Sequence, residues 1–169
     1  MLQLQSLLRK SKYSAFWRRV LNIALRRAIP FNNPHGLTIT DISDEHIRVR
    51  LPYKRANLNH LKGLHACGLA TLCEYACGLL LISHVGADRY RIIMKDLSME
   101  YHFQGKTDGI VNFNIDRKVL EEEIIQGLQH SEQMLKSFSL EVYDTAHNHL
   151  CTARVNWQIK SWDKVKTKV

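Results

Sequence analysis

The chain has 169 residues, 45% of them apolar and 24% charged, which excludes intrinsic disorder and leaves room for one packed domain rather than two. Its formal charge of +8 is one-sided: Arg9, Lys10, Lys12, Arg18, Arg19, Arg26 and Arg27 all precede the first acidic residue, Asp41, and the other 17 basic residues nearly balance 16 acidic ones. The basic character belongs to one end rather than to a whole binding surface, so no nucleic-acid partner is expected.

Over residues 14–29, Phe16, Trp17, Val20, Ile23, Ala24 and Leu25 fall at helical spacing with Arg18, Arg19, Arg26 and Arg27 between them, and Pro30 ends the run. Residues 1–30 therefore read as a basic, amphipathic N-terminal helical segment. Its basic face is either solvated at the domain edge or a means of peripheral membrane contact or transit. No export signal is read.

After the turn signal Asn32-Asn33-Pro34-His35-Gly36, two alternating runs, Leu37 and Ile39, then Ile47, Val49 and Leu51, predict paired strands. The polar segment 54–63 leads into residues 66–82, apolar except for Thr71 and Glu74. A helix hydrophobic on every face is a buried helix. A buried carboxylate pairs, protonates or does chemistry at a shifted pKa, which makes Glu74 the first place to look for function. The charge and two glycines in this stretch argue against a transmembrane span. Cys67, Cys73, Cys77 and Cys151 are irregularly spaced and three of them share the apolar stretch. Buried free thiols there behave as small hydrophobes, and a reducing, cytoplasmic location is expected.

Further strands are predicted over residues 89–101, at Val111, Phe113 and Ile115, at Phe138, Leu140 and Val142, and at Cys151, Ala153, Val155, Trp157 and Ile159. Between them, Leu120, Ile124, Ile125, Leu128 and Leu135 predict a short surface helix within 120–136, weakened by Gly127. The order is helix, two strands, buried helix, four strands. Alternation on most strands describes an antiparallel sheet covered on one face, an α+β domain whose core runs over 37–159.

A buried helix gripped by such a sheet is the hotdog architecture, and the segment NHLKGLHACGLATLCE resembles the motif of hotdog thioesterases of the phenylacetate (PaaI-like) type. In that motif an Asn is followed by Gly-x-His-Gly-Gly at the helix start and by an acidic residue nine positions beyond the His. Asn59, Gly63, His65 and Glu74 stand at the matching places. The resemblance implies hydrolysis of an acyl-CoA or acyl-carrier thioester, with CoA entering only as part of the substrate and no separate cofactor. It implies Glu74 as base or nucleophile, the Ala66 N–H as oxyanion donor, and Asn59 orienting water or carbonyl, against the plainer reading that Asn59 closes its turn on the backbone. His65, at a helix start, reads as capping or positioning rather than transferring a proton. Two departures stand out: Ala66-Cys67 replaces the two glycines, and neither Ile93 nor Met94 supplies the hydroxyl that some members carry on the next strand.

Ala66 and Glu74 are eight residues apart, about 12 Å along a helix. They cannot act on one carbonyl within one chain, so a homodimer or a dimer of dimers is expected. Gly63 and Cys67 are expected beside the substrate, and the basic Lys62 and Arg91, with Lys54, Arg55 and Arg89, are candidates for CoA phosphates against the commoner explanation of solvated charge. Cys73 and Cys77 share a helical face, but their apolar surroundings lack a second pair of ligands, and no metal is expected. Cys67 is a second candidate nucleophile. A hotdog protein that binds acyl groups or a protein partner without turnover is the alternative from another class. A dehydratase needs a His-plus-acid arrangement that this motif does not resemble.

Overall fold

Period-two alternation becomes six antiparallel strands in the computed structural model, which describes residues 2–165. The strands are β1 (Thr38–Ile42), β2 (His46–Leu51), β3 (Tyr90–Tyr101), β4 (Gly109–Asn114), β5 (Gln133–Asp144) and β6 (His149–Ser161), in the order β1-β2-β4-β5-β6-β3. Inward residues Val49, Leu51, Val111, Val142, Ala153 and Val155 are buried, while Arg48, Arg50, Asn112, Glu141 and Arg154 on the other face are exposed. A one-residue slip in any pairing would exchange these sets, so burial itself fixes the register.

Against the covered face lies α3 (Ala66–Val85), whose Leu69, Leu72, Cys73, Ala76, Leu79 and Leu80 are buried. The helix closes on Gly86, held at φ +82°, a conformation glycine adopts without cost. By length and composition α3 is apolar enough to cross a membrane. It instead fills the concave side of the sheet, the hotdog arrangement expected from the sequence. Its burial is incomplete, however. Cys67 is exposed and Ala70, Thr71 and Glu74 are half-exposed, forming one stripe on the N-terminal half. The expectation of a helix buried on every face is corrected here: β3 is the last strand on its side of the sheet, and among the described residues no strand lies beyond it.

The N-terminal segment is two helices rather than one: α1 (Leu2–Ser11) and α2 (Ala15–Ala28). Leu8, Leu21 and Leu25 carry them into the core. Asn22 mimics a strand neighbour, donating to Ile39 O at 3.0 Å and accepting from Ile39 N at 2.8 Å. Ion pairs Arg18–Asp41 (3.7 Å) and Lys12–Asp44 (2.5 Å) fasten the same edge.

The expected 120–136 helix is also corrected. It is π-helical over Val119–Ile125 and α-helical over Gln126–His130, and stops there because residues 133–136 join β5 and pair with β6. Leu120, Ile124 and Leu128 are buried as the periodicity predicts, but Leu135 sits on a strand and is exposed.

Candidate active site

The polar segment before α3 is built as a sequence of tight local bonds. Asn57, buried, donates through Nδ2 to His35 O (2.9 Å) and Pro52 O (2.8 Å), and its own carbonyl accepts from His65 N (2.8 Å). Asn59 Oδ1 accepts from Leu61 N (2.9 Å) and Gly63 N (3.0 Å), closing the turn on itself. Lys62 occupies the left-handed position of that turn at φ 58°, its side chain exposed and its carbonyl receiving the Tyr53 hydroxyl at 2.6 Å. Gly63 is buried, and a Cβ there would lie 2.6 Å from Gln104 Cγ, so the missing side chain is what lets Gln104 close over the turn.

His65 is the N-cap of α3. Its Nδ1 accepts from Cys67 N at 3.1 Å, which leaves the proton of the neutral ring on Nε2. Cys67 N–H is therefore engaged, whereas the Ala66 N–H has no partner among the described residues. Unpaired amides and the positive end of the helix dipole coincide at this point. Ala66 borders an open depression of about 420 Å³, shared with Asn59, Leu61, Leu64, Tyr101 and Gln104. The Tyr101 hydroxyl donates to Ala66 O at 3.1 Å and ties the end of β3 to the helix start. The thiol of Cys67 stands on the exposed side of the same turn.

Glu74 lies two turns further along the Cys67–Thr71 stripe. It forms no hydrogen bond or ion pair among the described residues, and desolvation holds its pKa above the ordinary glutamate value. A half-buried carboxylate with no compensating partner is costly, which is the electrostatic signature of a group kept for chemistry or for a partner.

Within one chain, Asn59, Gly63, His65, Ala66 and Cys67 are thus brought together, and Lys62 sits at their rim. Glu74 is held apart from them by the helix. Arg91 is not brought in at all: it is the second residue of β3, ten residues from Tyr101 and about 33 Å away along the strand. Its Nη2 donates to Gln158 Oε1 at 3.3 Å, while its buried Nε has no partner among the described residues. Tyr101, His102, Phe103 and Gln104, which wall the depression, were not distinguished by periodicity. Their signal is an aromatic and polar run that breaks alternation at the end of a long strand. No group of three or more His, Cys, Asp or Glu side chains with metal-binding geometry occurs among the described residues.

A domain family of unknown function, DUF4442, matches residues 18–159. The chain belongs to this family. The DUF4442 match takes in most of α2, all of α3 and the six strands except the last two residues of β6, and leaves α1 outside. Among solved structures, the protein of unknown function PA5026 from Pseudomonas aeruginosa, described as a probable thioesterase, is similar with a TM-score of 0.75 and 22% identity over 85% of this chain and 95% of its own. Thioesterase HI1161 from Haemophilus influenzae is similar with a TM-score of 0.65 and 10% identity over 85% of this chain and 92% of its own. A mutant of thioesterase PA1618 from Pseudomonas aeruginosa gives 0.66 and 10% over 82% and 91%. No curated protein matches. At such identities the likeness is one of fold, and it agrees with the hotdog arrangement of α3 and the six-stranded sheet in the DUF4442 chain.

Proposed function

We propose that this protein is a homodimeric acyl thioesterase of the PaaI-like type, hydrolysing an acyl-CoA or acyl-carrier thioester in a reducing, cytoplasmic setting. The observation that carries this reading is Glu74: a desolvated carboxylate without a partner among the described residues, on the uncovered stripe of α3, at the acidic position of the motif that also includes Asn59, Gly63 and His65.

In the reaction, Glu74 takes a proton from water as its oxygen bonds to the thioester carbonyl carbon. The carbonyl oxygen becomes an oxyanion held by the Ala66 N–H and the helix dipole. The C–S bond then breaks, the carbonyl reforms, and the thiol departs with the proton returned from Glu74. The roughly 12 Å of helix between the two groups requires Ala66 from one subunit and Glu74 from the other. The edge of β3 supports such pairing: twelve residues with one backbone edge unpaired among the described residues, and half-exposed or exposed Ile92, Met94, Leu97, Met99 and Tyr101 on the helix side. A second copy paired there would cover the Glu74 stripe. Lys62 and Arg91 are candidates for the substrate's phosphates, with Arg91 reaching a site only through the partner subunit.

The second reading, a hotdog protein that binds acyl groups or a protein without turnover, is favoured by the side chains of Ala66 and Cys67 where related sites have glycines close to the thioester. Purified protein with a panel of acyl-CoAs separates the two. Free thiol released by the wild type and lost in Glu74→Gln supports hydrolysis. Acyl-CoA binding without thiol release, or a fully active Glu74→Gln variant, sinks it.

A further inference from the structure

The outer face of α2 takes no part in the proposed hydrolysis. With 100° per residue, Phe16, Arg19, Val20, Ile23 and Arg27 fall within an arc of roughly 100°, opposite the buried Leu21, Asn22 and Leu25. Phe16 is 65% exposed and Ile23 50%, with Val20 half-exposed between them; at the helix ends Tyr13 is 82% and Phe31 68% exposed. Four large apolar side chains in water on one short segment are more than scattered surface hydrophobes. The charge around them has one sign. Residues 1–40 contain seven basic side chains and no acidic one. Lys12 and Arg18 are paired with Asp44 and Asp41, Arg26 donates to Gly36 O and Thr38, and Lys10 lies 4.4 Å over the Trp17 ring. Arg9, Arg19 and Arg27 are exposed and form no ion pair among the described residues.

We propose that this face is a docking surface for an anionic lipid bilayer, with α2 lying in the plane of the interface. The Arg18–Asp41 and Lys12–Asp44 ion pairs hold the helix hairpin at the β1 edge of the sheet, and Arg19 and Arg27 stay exposed on the outer arc of α2, where they complement anionic headgroups. Phe16, Val20 and Ile23 form the apolar strip on the same arc that enters the acyl boundary. A soluble acidic protein would be matched by the arginines but would leave this rigid apolar strip without a stated partner surface. The bilayer matches both.

The test is cosedimentation of the full chain with vesicles of phosphatidylcholine alone and with roughly one-third phosphatidylserine. Binding is expected to the anionic vesicles, weakening as salt rises. Arg19→Gln and Arg27→Gln are each expected to lower the partition constant roughly five-fold, and Phe16→Ser or Ile23→Ser roughly ten-fold or more, with unfolding midpoints unchanged because these side chains are largely in water. Glu74→Gln should bind vesicles like the wild type, so failure here is distinguishable from failure of the hydrolase reading. Equal binding to both vesicle types, or binding indifferent to Phe16→Ser, overturns the proposal. So does an absence of vesicle binding, whether Phe16→Ser lowers the mass in solution, giving the face to a second copy, or the arginine variants weaken binding to duplex RNA.

Discussion

The indole of Trp157 fills the space beside Gly78: a Cβ on that glycine would lie 2.8 Å from Cη2 and 3.2 Å from Cζ2. The ring is held there, since its Nε1 donates to Cys77 Sγ at 3.1 Å and only 3% of the residue is exposed. Alanine in mid-helix gains about 1 kcal/mol over glycine, whereas forcing a methyl into a packed core costs about 1–3 kcal/mol. Gly78→Ala is therefore expected to destabilise by about 1 kcal/mol net, and Gly78→Val by more. Urea unfolding measures both, and a raised midpoint for Gly78→Ala would mean that the ring swings away.

Asn59 separates a structural role from a chemical one. Its Oδ1 serves two backbone amides, so Asn59→Ala is expected to lower stability by about 1–3 kcal/mol through unsatisfied donors. Asn59→Asp keeps an oxygen to accept both hydrogen bonds and is expected to stay within about 1 kcal/mol of wild type. If Nδ2 also orients water or the carbonyl, Asn59→Asp loses activity while keeping its melting temperature. An active Asn59→Asp enzyme restricts the residue to the turn.

Desolvation raises the Glu74 pKa, and two consequences follow with opposite directions in pH. As a base, Glu74 works only when ionised, so kcat/KM is expected to fall on the acid side with an apparent pKa above about 4.3, the ordinary glutamate value. As a buried charge it opposes folding: the penalty is fully present above its folded pKa and vanishes below its unfolded one. Glu74→Gln should therefore raise the melting temperature at neutral pH, leave it unchanged in acid, and lower kcat by about 10²–10⁴-fold. Equal melting curves at both pH values would argue that the carboxylate is solvated.

Met94 lies on the helix-facing side of β3 opposite Trp157 in the register, and is 37% exposed. Met94→Asp is expected to yield monomers by light scattering and to lose hydrolysis in parallel, with its secondary structure intact. Monomers with full activity would remove the two-subunit site.

Much of this architecture is legible in the chain. Val49, Val111, Val142 and Val155 announce their strands by alternation because one sheet face is dry and the other wet. The motif around His65 and Glu74 marks where α3 begins and what it carries. What escapes is set by contacts distant in sequence. The α1 helix has no capping signal, and is held by Leu8 in the core and by Gln5 Nε2 donating to Ile82 O at 2.8 Å. Leu135 continues a helical period, yet its segment gains more by pairing with β6. Tyr101 and Gln104 reach the site only through the folding of β3 beside α3, which no local pattern records.

Of the four free thiols, Cys67 alone is exposed, whereas Cys73, Cys77 and Cys151 are wholly buried. The molecule thus carries a single natural probe, placed on the uncovered stripe of α3 beside the helix start. Its rate of disulfide exchange with a coloured reagent becomes a clock for coverage of that stripe: slow where a second subunit lies over it, fast in a Met94→Asp monomer, and slowed again when an acyl-CoA fills the neighbouring depression. Assembly and occupancy can be timed in native protein, with no label introduced.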